Sequence, residues 1–311
     1  MTPSKALKPE SALCIGVIGL GIIGSAIARH LALSGYQIVG YDPDQLCQTR
    51  VRSFGVKTLE NARAVGEYSD VVFLSLPSPE ALDDTVTRLI RDDQLRLQNL
   101  VVIDLSTLSL DCKRYNYDRL ANAGINFYDC PISGTGAQAE TGDVVVYASG
   151  DAKSLKDLIP ILECFSRAVF NVGQFGQGTK TKVVANLLVA IHNVATAEAL
   201  TLATKCGLDL NTFCEVIAAG AGNSRIFELR APLMITDTFS PPTMKLSVWE
   251  KDMAIIKNFA EEVGSPTPLF SATEAFYEAA VKADLGDLDT AAIFKIFHNA
   301  NDHRQSSTKS P

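Results

Sequence analysis

The chain has 311 residues, of which 47% are hydrophobic and 20% are charged. This length and apolar content can bury a large core and predict two domains. A formal net charge of −7 without a compensating basic cluster argues against a nucleic-acid surface. No uninterrupted run of 18 apolar residues occurs, so we expect neither a secretory signal nor a membrane partner, and we expect a cytoplasmic protein.

Cysteine and histidine are too scattered to indicate a metal site. The seven cysteines show no C-x-x-C spacing, which predicts reduced thiols rather than a disulfide framework or a zinc site. The four histidines are equally dispersed, and His192 has neither a carboxylate nor a second histidine four residues away. We therefore expect no bound metal.

A glycine-rich loop near the start of the chain carries the first chemical signal. The apolar run 13–18 predicts a buried strand, 25–33 an apolar helix and 37–41 a second strand that ends at Asp42. Between the first strand and the helix stand Gly19, Leu20, Gly21, Ile22, Ile23 and Gly24. Strand, loop, helix, second strand and a late acid together are typical of a dinucleotide site.

Each glycine of this loop has a physical reason to be there. Gly19 permits a tight turn, Gly21 lets the backbone approach a pyrophosphate, and Gly24 lets the helix pack on the strand. The helix N-terminus adds partial positive charge, and Asp42 would face the adenosine ribose. The alternative is that the glycines serve turn geometry alone.

Two further apolar runs, 70–76 and 100–104, predict buried parallel strands, each followed by a turn and a helix. Leu76 with Pro77, and Thr107 after the second run, then lie at the carboxyl ends of strands. A ligand of an open α/β sheet binds at that edge. Alternatively, Thr107 and the serine before it are ordinary caps of the next helix.

The segment 126–142 contains a strand at 127–130 and then Ser133, Gly134 and Thr135. We expect the stretch that begins at Ser133 to have too much backbone freedom for a structural element. Its amides and hydroxyls can donate to a bound oxygen or carboxylate. A plain flexible loop is the alternative. Strands at 144–148 and 168–172, separated by a helix at 152–165, follow it.

A long helix over 179–205 separates the alternating part of the chain from a part that is helical throughout. Lys182, Asn186 and Asn193 are spaced i, i+4 and i+11, which places them on one face among apolar neighbours. A helix of this length must be buried along most of its surface. The polar stripe either takes part in the reaction, or it consists of a snorkelling lysine and of amides that cap a neighbouring loop.

The remainder of the chain predicts a helical domain, with several helices that are apolar on more than one side. Such helices need a partner surface, and a homodimer or homotetramer would provide it. The predicted helices are 211–219, 226–235, 244–263, 268–283 and 289–297.

Four motifs in order give the chain a resemblance to the β-hydroxyacid dehydrogenase family. After the glycine-rich loop, DCPISGTGAQAETGD (129–143) resembles the substrate loop of that family, GQGTKTKVVAN (176–186) its catalytic helix, and EKDM (250–253) its late K-D-L element. Thr135 stands where the family often has a second glycine, and Ala185 where it often has the first of two asparagines. The segment 220–232 is most similar to the sugar-acid branch.

The resemblance implies an α/β Rossmann-like N-terminal domain and an all-α C-terminal domain. It implies an enzyme that moves hydride reversibly between NAD(P) and a small-molecule 3-hydroxy acid. The expected division is a flexible arm (1–12), the NAD(P)-binding domain (13–175), the helical domain (176–300) and a flexible tail (301–311).

Oxidising a carbinol requires a base on its hydroxyl, and Lys182 can act as that base only as the neutral amine. Burial in an interdomain cleft, and a second cation nearby, would lower its pKa toward neutrality. By resemblance, Asn186 orients the substrate or the lysine, and the Ser133 loop binds the substrate carboxylate. Lys251 would lie beside the nicotinamide; the alternative is a surface lysine paired with a nearby acid.

We expect NAD to be preferred over NADP, because Asp42 can accept hydrogen bonds from ribose hydroxyls and would repel a 2′-phosphate. The next position is Pro43 rather than arginine, and the nearest downstream cations are Arg50 and Lys57. Two rivals remain: an imine reductase, and a non-catalytic nucleotide-binding module. Relatives of both kinds generally lack a lysine at the position of Lys182.

Overall fold

The structure is a computed structural model that describes residues 13–90 and 100–297. The predicted flexible arm (1–12) and flexible tail (301–311) lie outside these ranges. The chain divides into two compact units, Met1–Lys182 and Val183–Pro311.

The described strands of the first unit form one nine-stranded sheet in the order β3-β2-β1-β4-β5-β6-β8-β7, with β9 paired to β8. The strands from β3 to β6 run parallel, whereas β8 runs antiparallel to β6 and β7. The strand order reverses between β1 and β4, which is where an open α/β sheet forms a ligand crevice. The strands are β1 Cys14–Ile18, β2 Gln37–Tyr41, β3 Lys57–Thr58, β4 Val71–Leu74, β5 Val101–Asp104, β6 Asn126–Asp129, β7 Ile132–Ser133, β8 Val145–Ser149 and β9 Ala168–Gly173.

Helices cover both faces of this sheet, because alternate side chains of each strand point to opposite sides. Val71 and Phe73 of β4 belong to one apolar cluster, whereas Val72 and Leu74 belong to the other. The continuous apolar strands therefore report burial on two faces. The helices of this unit are α1 Ile22–Leu33, α2 Gln45–Arg52, α3 Ala62–Tyr68, α4 Pro79–Ile90, α5 Leu110–Asn122, α6 Gly136–Glu140 and α7 Ala152–Glu163.

The long helix α8 begins in the first unit and continues into the second, which is helical. Its inner face packs with Phe227, Trp249, Phe270 and Tyr277 in one buried apolar cluster. The helices are α8 Gln177–Lys205, α9 Leu210–Ala219, α10 Arg225–Ile235, α11 Leu246–Glu262 and α12 Pro268–Lys282, followed by a 3₁₀ turn at Thr290–Ile293.

The predicted fold class, a Rossmann-like α/β domain followed by a helical domain, is confirmed. One local prediction is wrong: the stretch from Ser133 is not without structure. Ser133 ends β7, and α6 begins at Gly136. Thr135 caps α6 through a capping box with Gln138, whose side chain accepts a 3.0 Å hydrogen bond from the Thr135 amide. This reciprocal cap stabilises the turn, although the glycines of the segment had led us to expect no regular structure.

Helix α8 is long and apolar enough to cross a membrane, with a mean hydropathy of 1.5 over its most apolar window. Length and composition cannot separate such a span from the core helix of a globular domain. In α8, 44% of that window is buried, and Lys182, Asn186 and Asn193 are among the buried residues.

Candidate functional site

The glycine-rich loop between β1 and α1 is sterically constrained at two of its glycines. Gly19 has φ +88°, and a Cβ there would lie 2.2 Å from the Ser75 carbonyl oxygen. A Cβ on Gly24 would lie 1.8 Å from the Gly19 carbonyl oxygen. Both glycines are therefore required for the loop to fold between strand and helix.

Gly21 is different, because nothing in the described structure demands a glycine there. Its φ is −61°, and a Cβ would meet no atom within 4 Å. Gly21 is the N-cap of α1, and no side chain caps the helix at this position. An open glycine at an uncapped helix N-terminus fits the close approach of a pyrophosphate. The loop thus has the form that a dinucleotide cofactor needs.

Asp42 follows β2 and is tied back to the same loop. Its Oδ2 accepts a 2.6 Å hydrogen bond from the Leu20 amide, and its Oδ1 accepts one of 2.8 Å from the Asp44 amide. The side chain lines an open cleft at the carboxyl edge of the sheet together with Pro43 and Thr58. The position fits the ribose contact predicted for it.

A cation that the sequence did not single out lies in this cleft. Arg52 of α2 lines it, and its guanidinium donates to Thr58 Oγ1 at 2.8 Å and to Gln48 Oε1 at 3.3 Å. Lys57 instead lies over the ring of Tyr68, 5.0 Å from its centroid. Neither α2 nor α3 was predicted. Without the bounds of α2, the sequence did not show toward which side the Arg52 side chain points.

The turns after β4 and β5 are joined by a side chain. The Leu76 amide donates a 2.9 Å hydrogen bond to Ser106 Oγ, so the two loops form one surface beside the glycine-rich loop. Leu76 and Thr107 are half-buried and Pro77 is exposed. The helix-cap alternative for Ser106 and Thr107 is wrong, because Ser109 is the N-cap of α5.

The segment of Ser133, Gly134 and Thr135 lies next to the glycine-rich loop. Gly134 has φ +153°, and a Cβ there would come within 2.7 Å of Val144 Cγ1. A Cβ on Gly136 would lie 2.5 Å from Ile22 Cγ2, so α6 packs directly against the start of α1. The departure at Thr135 has a local reason, since its hydroxyl caps α6.

The polar stripe of α8 consists of buried residues with different surroundings. Asn193 donates to Tyr277 Oη at 3.2 Å and to the Thr290 carbonyl at 3.0 Å. This matches the structural alternative, an amide that holds a neighbouring loop. Lys182 is 9% exposed and Asn186, one turn later, 3%. Lys182 and Asn186 are therefore the residues of the stripe that remain candidates for a role in the reaction.

Asp252 contacts a candidate site residue, and the sequence analysis did not single it out. It is buried on α11, and its Oδ2 accepts a 3.0 Å hydrogen bond from Asn186 Nδ2. Lys251 Nζ lies 3.6 Å from Asp252 Oδ1, which matches the alternative of a lysine paired with an acid. The signal was an acid at helical spacing between the buried Trp249 and Ile256.

No group of three metal-ligating side chains occurs within residues 13–90 and 100–297. The described features fit a nicotinamide dinucleotide on the first unit, from the open Gly21 to the carboxylate of Asp42. They also place a buried lysine and a buried, oriented amide on consecutive turns of one helix.

Two family models together match most of the chain. Residues 14–173 match the family model of the NAD binding domain of 6-phosphogluconate dehydrogenase, and residues 176–297 match that of the NAD-binding domain of NADP-dependent 3-hydroxyisobutyrate dehydrogenase. L-threonate dehydrogenase of Pectobacterium atrosepticum is 28% identical, over 94% of this chain and 96% of the relative.

Two further proteins show the same relationship. 2-(Hydroxymethyl)glutarate dehydrogenase of Eubacterium barkeri is 26% identical, over 93% of this chain and 96% of the relative. The structure of Mycobacterium tuberculosis 3-hydroxyisobutyrate dehydrogenase with L-serine has a TM-score of 0.82 and 26% identity, covering 91% of this chain and 98% of that one. The first family model alone spans more than half of the chain, which therefore belongs to the β-hydroxyacid dehydrogenase family and is an NAD(P)-dependent oxidoreductase.

Proposed function

We propose that the protein transfers hydride between a nicotinamide cofactor and a small 3-hydroxy acid or its semialdehyde form, with Lys182 as general acid and base. The observation that carries the proposal is the burial of Lys182 on α8, one turn before an asparagine that Asp252 holds.

In the oxidation direction, the neutral Lys182 amine takes the proton of the substrate hydroxyl as the hydride leaves the carbinol carbon. In reduction, the protonated Lys182 returns a proton to the carbonyl oxygen. The nicotinamide supplies the hydride acceptor or donor when bound. Asn186 orients the reacting group, because its amide is itself fixed by Asp252.

The substrate is proposed to carry a carboxylate, which the Ser133, Gly134 and Thr135 loop would bind. The relatives point to the same class, since threonate and 2-(hydroxymethyl)glutarate combine a carboxylate with a hydroxyl group. The resemblance of 220–232 to the sugar-acid branch favours a polyhydroxy acid. Lys251 is proposed to lie beside the nicotinamide.

We further propose NAD as the preferred cofactor, on the strength of the Asp42 carboxylate in the adenosine cleft. Arg52 in that cleft works against this preference, but its guanidinium is engaged by Thr58 and Gln48. A cytoplasmic location and a homodimer or homotetramer without nucleic-acid or membrane partners complete the proposal.

The test is the appearance of NADH, followed by absorbance, with a panel of hydroxy acids. The panel contains L-threonate, erythronate, 3-hydroxyisobutyrate, glycerate and 2-(hydroxymethyl)glutarate, with cyclic amines as imine-reductase substrates. We expect turnover with at least one hydroxy acid and none with the amines. Tight NAD binding without any turnover would favour a non-catalytic module instead, and amine turnover would favour an imine reductase.

A further inference from the structure

Two neighbouring strands of the sheet end in fully buried acids. Asp104 of β5 and Asp129 of β6 are register partners, and neither is exposed to solvent. Lys113 of α5 is equally buried, with its Nζ 3.0 Å from Asp104 Oδ2 and 2.8 Å from Asp129 Oδ1. One ammonium thus bridges two carboxylates that would otherwise repel each other across adjacent strands.

The two acids of this cluster stabilise the protonated form of Lys113. Burial acts to lower the pKa of Lys113, but the two carboxylates raise it above its usual range. Buried ion pairs are weak evidence for stability, since apolar residues of similar volume often stabilise as well. Positioning of neighbouring groups therefore explains these three buried ionisable residues better than a contribution to stability does.

On one side, the cluster holds the start of α8. Asp129 Oδ2 accepts a 2.7 Å hydrogen bond from the Thr179 amide, and Asp129 Oδ1 accepts one of 2.8 Å from Thr179 Oγ1. Ser149 Oγ donates to the Asp129 carbonyl at 2.7 Å and accepts from the Gly178 amide at 3.0 Å. The first amides of a helix lack intrahelical acceptors, and a carboxylate there complements the helix dipole.

The contact is tight as well as polar. A Cβ on Gly178 would lie 2.5 Å from the Asp129 carbonyl oxygen and 2.6 Å from the Tyr147 carbonyl oxygen. The first turn of α8 therefore rests on the ends of β6 and β8. Lys182 follows Thr179 by three residues, so it belongs to the next turn of the same rigid segment.

On the other side, the cluster reaches the cofactor edge. Asp104 Oδ1 accepts a 3.0 Å hydrogen bond from the Ser106 amide, and Ser106 Oγ accepts from the Leu76 amide. A continuous path of polar contacts within the first unit thus joins the turn after β4 to the first turn of α8, with Lys113 at its centre.

We infer that Lys113 is a positioning residue, which bridges Asp104 and Asp129 so that Lys182 is held in a fixed register to the cofactor-binding edge. This inference rests on the proposed role of Lys182. Lys113 itself touches no substrate, because it is fully buried beneath the sheet edge.

The experiment compares Lys113→Met with Lys153→Met, an exposed lysine of α7. Amide hydrogen exchange of peptides spanning 176–186 and steady-state kinetics are measured on both. We expect faster exchange in Lys113→Met and a kcat about 10- to 100-fold lower, with KM and NAD affinity little changed, because small misplacements of reacting groups carry such losses. Lys153→Met should match the wild type in both measurements.

Thr179→Val provides a second variant, should Lys113→Met fail to fold. It removes one hydroxyl at nearly constant volume and should also speed exchange and lower kcat. Thr179→Ser keeps the hydroxyl and should match the wild type in both measurements. Wild-type exchange or wild-type kcat in folded Lys113→Met, or in Thr179→Val, would overturn the inference. Full activity in Lys182→Ala would instead overturn the proposed function, while the exchange measurement still reports on the cluster.

Discussion

Asn186 on α8 donates a 3.0 Å hydrogen bond to Asp252 on α11, and both side chains are buried. An asparagine amide in an apolar surrounding can rotate or flip unless a partner selects one orientation. A carboxylate accepts hydrogen bonds but does not donate them, so Asp252 must face the Nδ2 group of Asn186. This contact turns Nδ2 toward α11 and leaves Oδ1 for another partner.

Loss of this acceptor should affect catalysis through Asn186. We predict that Asp252→Ala lowers kcat/KM about 10-fold or more, because an unpaired buried amide costs about 1–3 kcal/mol and no longer has one orientation. Asn186→Ala should have a similar effect, and the double variant should be no worse than either single variant. Additive losses would separate the two residues. Glu250→Ala, on the exposed side of α11, is the control.

The general acid and base assignment makes a kinetic prediction. Lys182→Ala should lower kcat by about 10²- to 10⁴-fold, the usual contribution of a positioned proton-transfer group, with NAD affinity nearly unchanged. Lys180→Ala, two residues earlier on the same helix, is the matched control and should retain activity. Retention of more than about a tenth of wild-type kcat by Lys182→Ala would remove this lysine from the mechanism.

The proposed carboxylate anchor should act on binding more than on turnover. We predict that Ser133→Ala raises KM for the hydroxy acid more than it lowers kcat, since an anchor stabilises the ground state and the transition state alike. A carboxamide analogue of the substrate is the control, because it should bind wild type and variant with similar KM. An unchanged KM for the acid would return Ser133 to a purely structural role at the end of β7.

Two glycines of the glycine-rich loop should respond to alanine substitution in different ways: one through stability and the other through NAD binding. Gly24→Ala would place a Cβ 1.8 Å from the Gly19 carbonyl oxygen, so we predict a lower free energy of unfolding. Gly21→Ala meets no atom within 4 Å, so the fold should keep its stability while the Kd for NAD rises. Thermal unfolding and NAD titration of both variants check this pair. Unchanged NAD affinity in Gly21→Ala would mean that no pyrophosphate approaches this position.

Cofactor choice should follow Asp42. Like charges about 4 Å apart repel by about 1 kcal/mol in water and about 4 kcal/mol at an effective dielectric of 20. We therefore predict a kcat/KM for NAD at least several-fold above that for NADP, and a shift toward NADP in Asp42→Ser with Pro43→Arg. Parity of the two cofactors in the wild type would sink the assignment, and Arg52→Ala would then test whether that cation receives the 2′-phosphate.

The sequence by itself determined the elements that short-range patterns encode. The strand, glycine-rich loop and helix around Gly19 follow from buried apolar runs and backbone requirements that neighbouring residues impose. The long helix α8 follows from its composition, and the end of β2 at Asp42 from the strand period. The helices α2 and α3, of eight and seven residues, and the two-residue strand β3 were not predicted, because such short segments hold too few apolar positions to show a period.

Only the tertiary structure decided which polar residues meet. Asp252 lies 66 positions from Asn186, and Asp129 lies 50 positions from Thr179, so no local pattern could pair them. The same holds for Arg52, whose place in the cleft beside Asp42 depends on the rotation of a helix that was not predicted. Hydrogen bonds act over about 3 Å, and packing of whole elements brings such distant residues within that range.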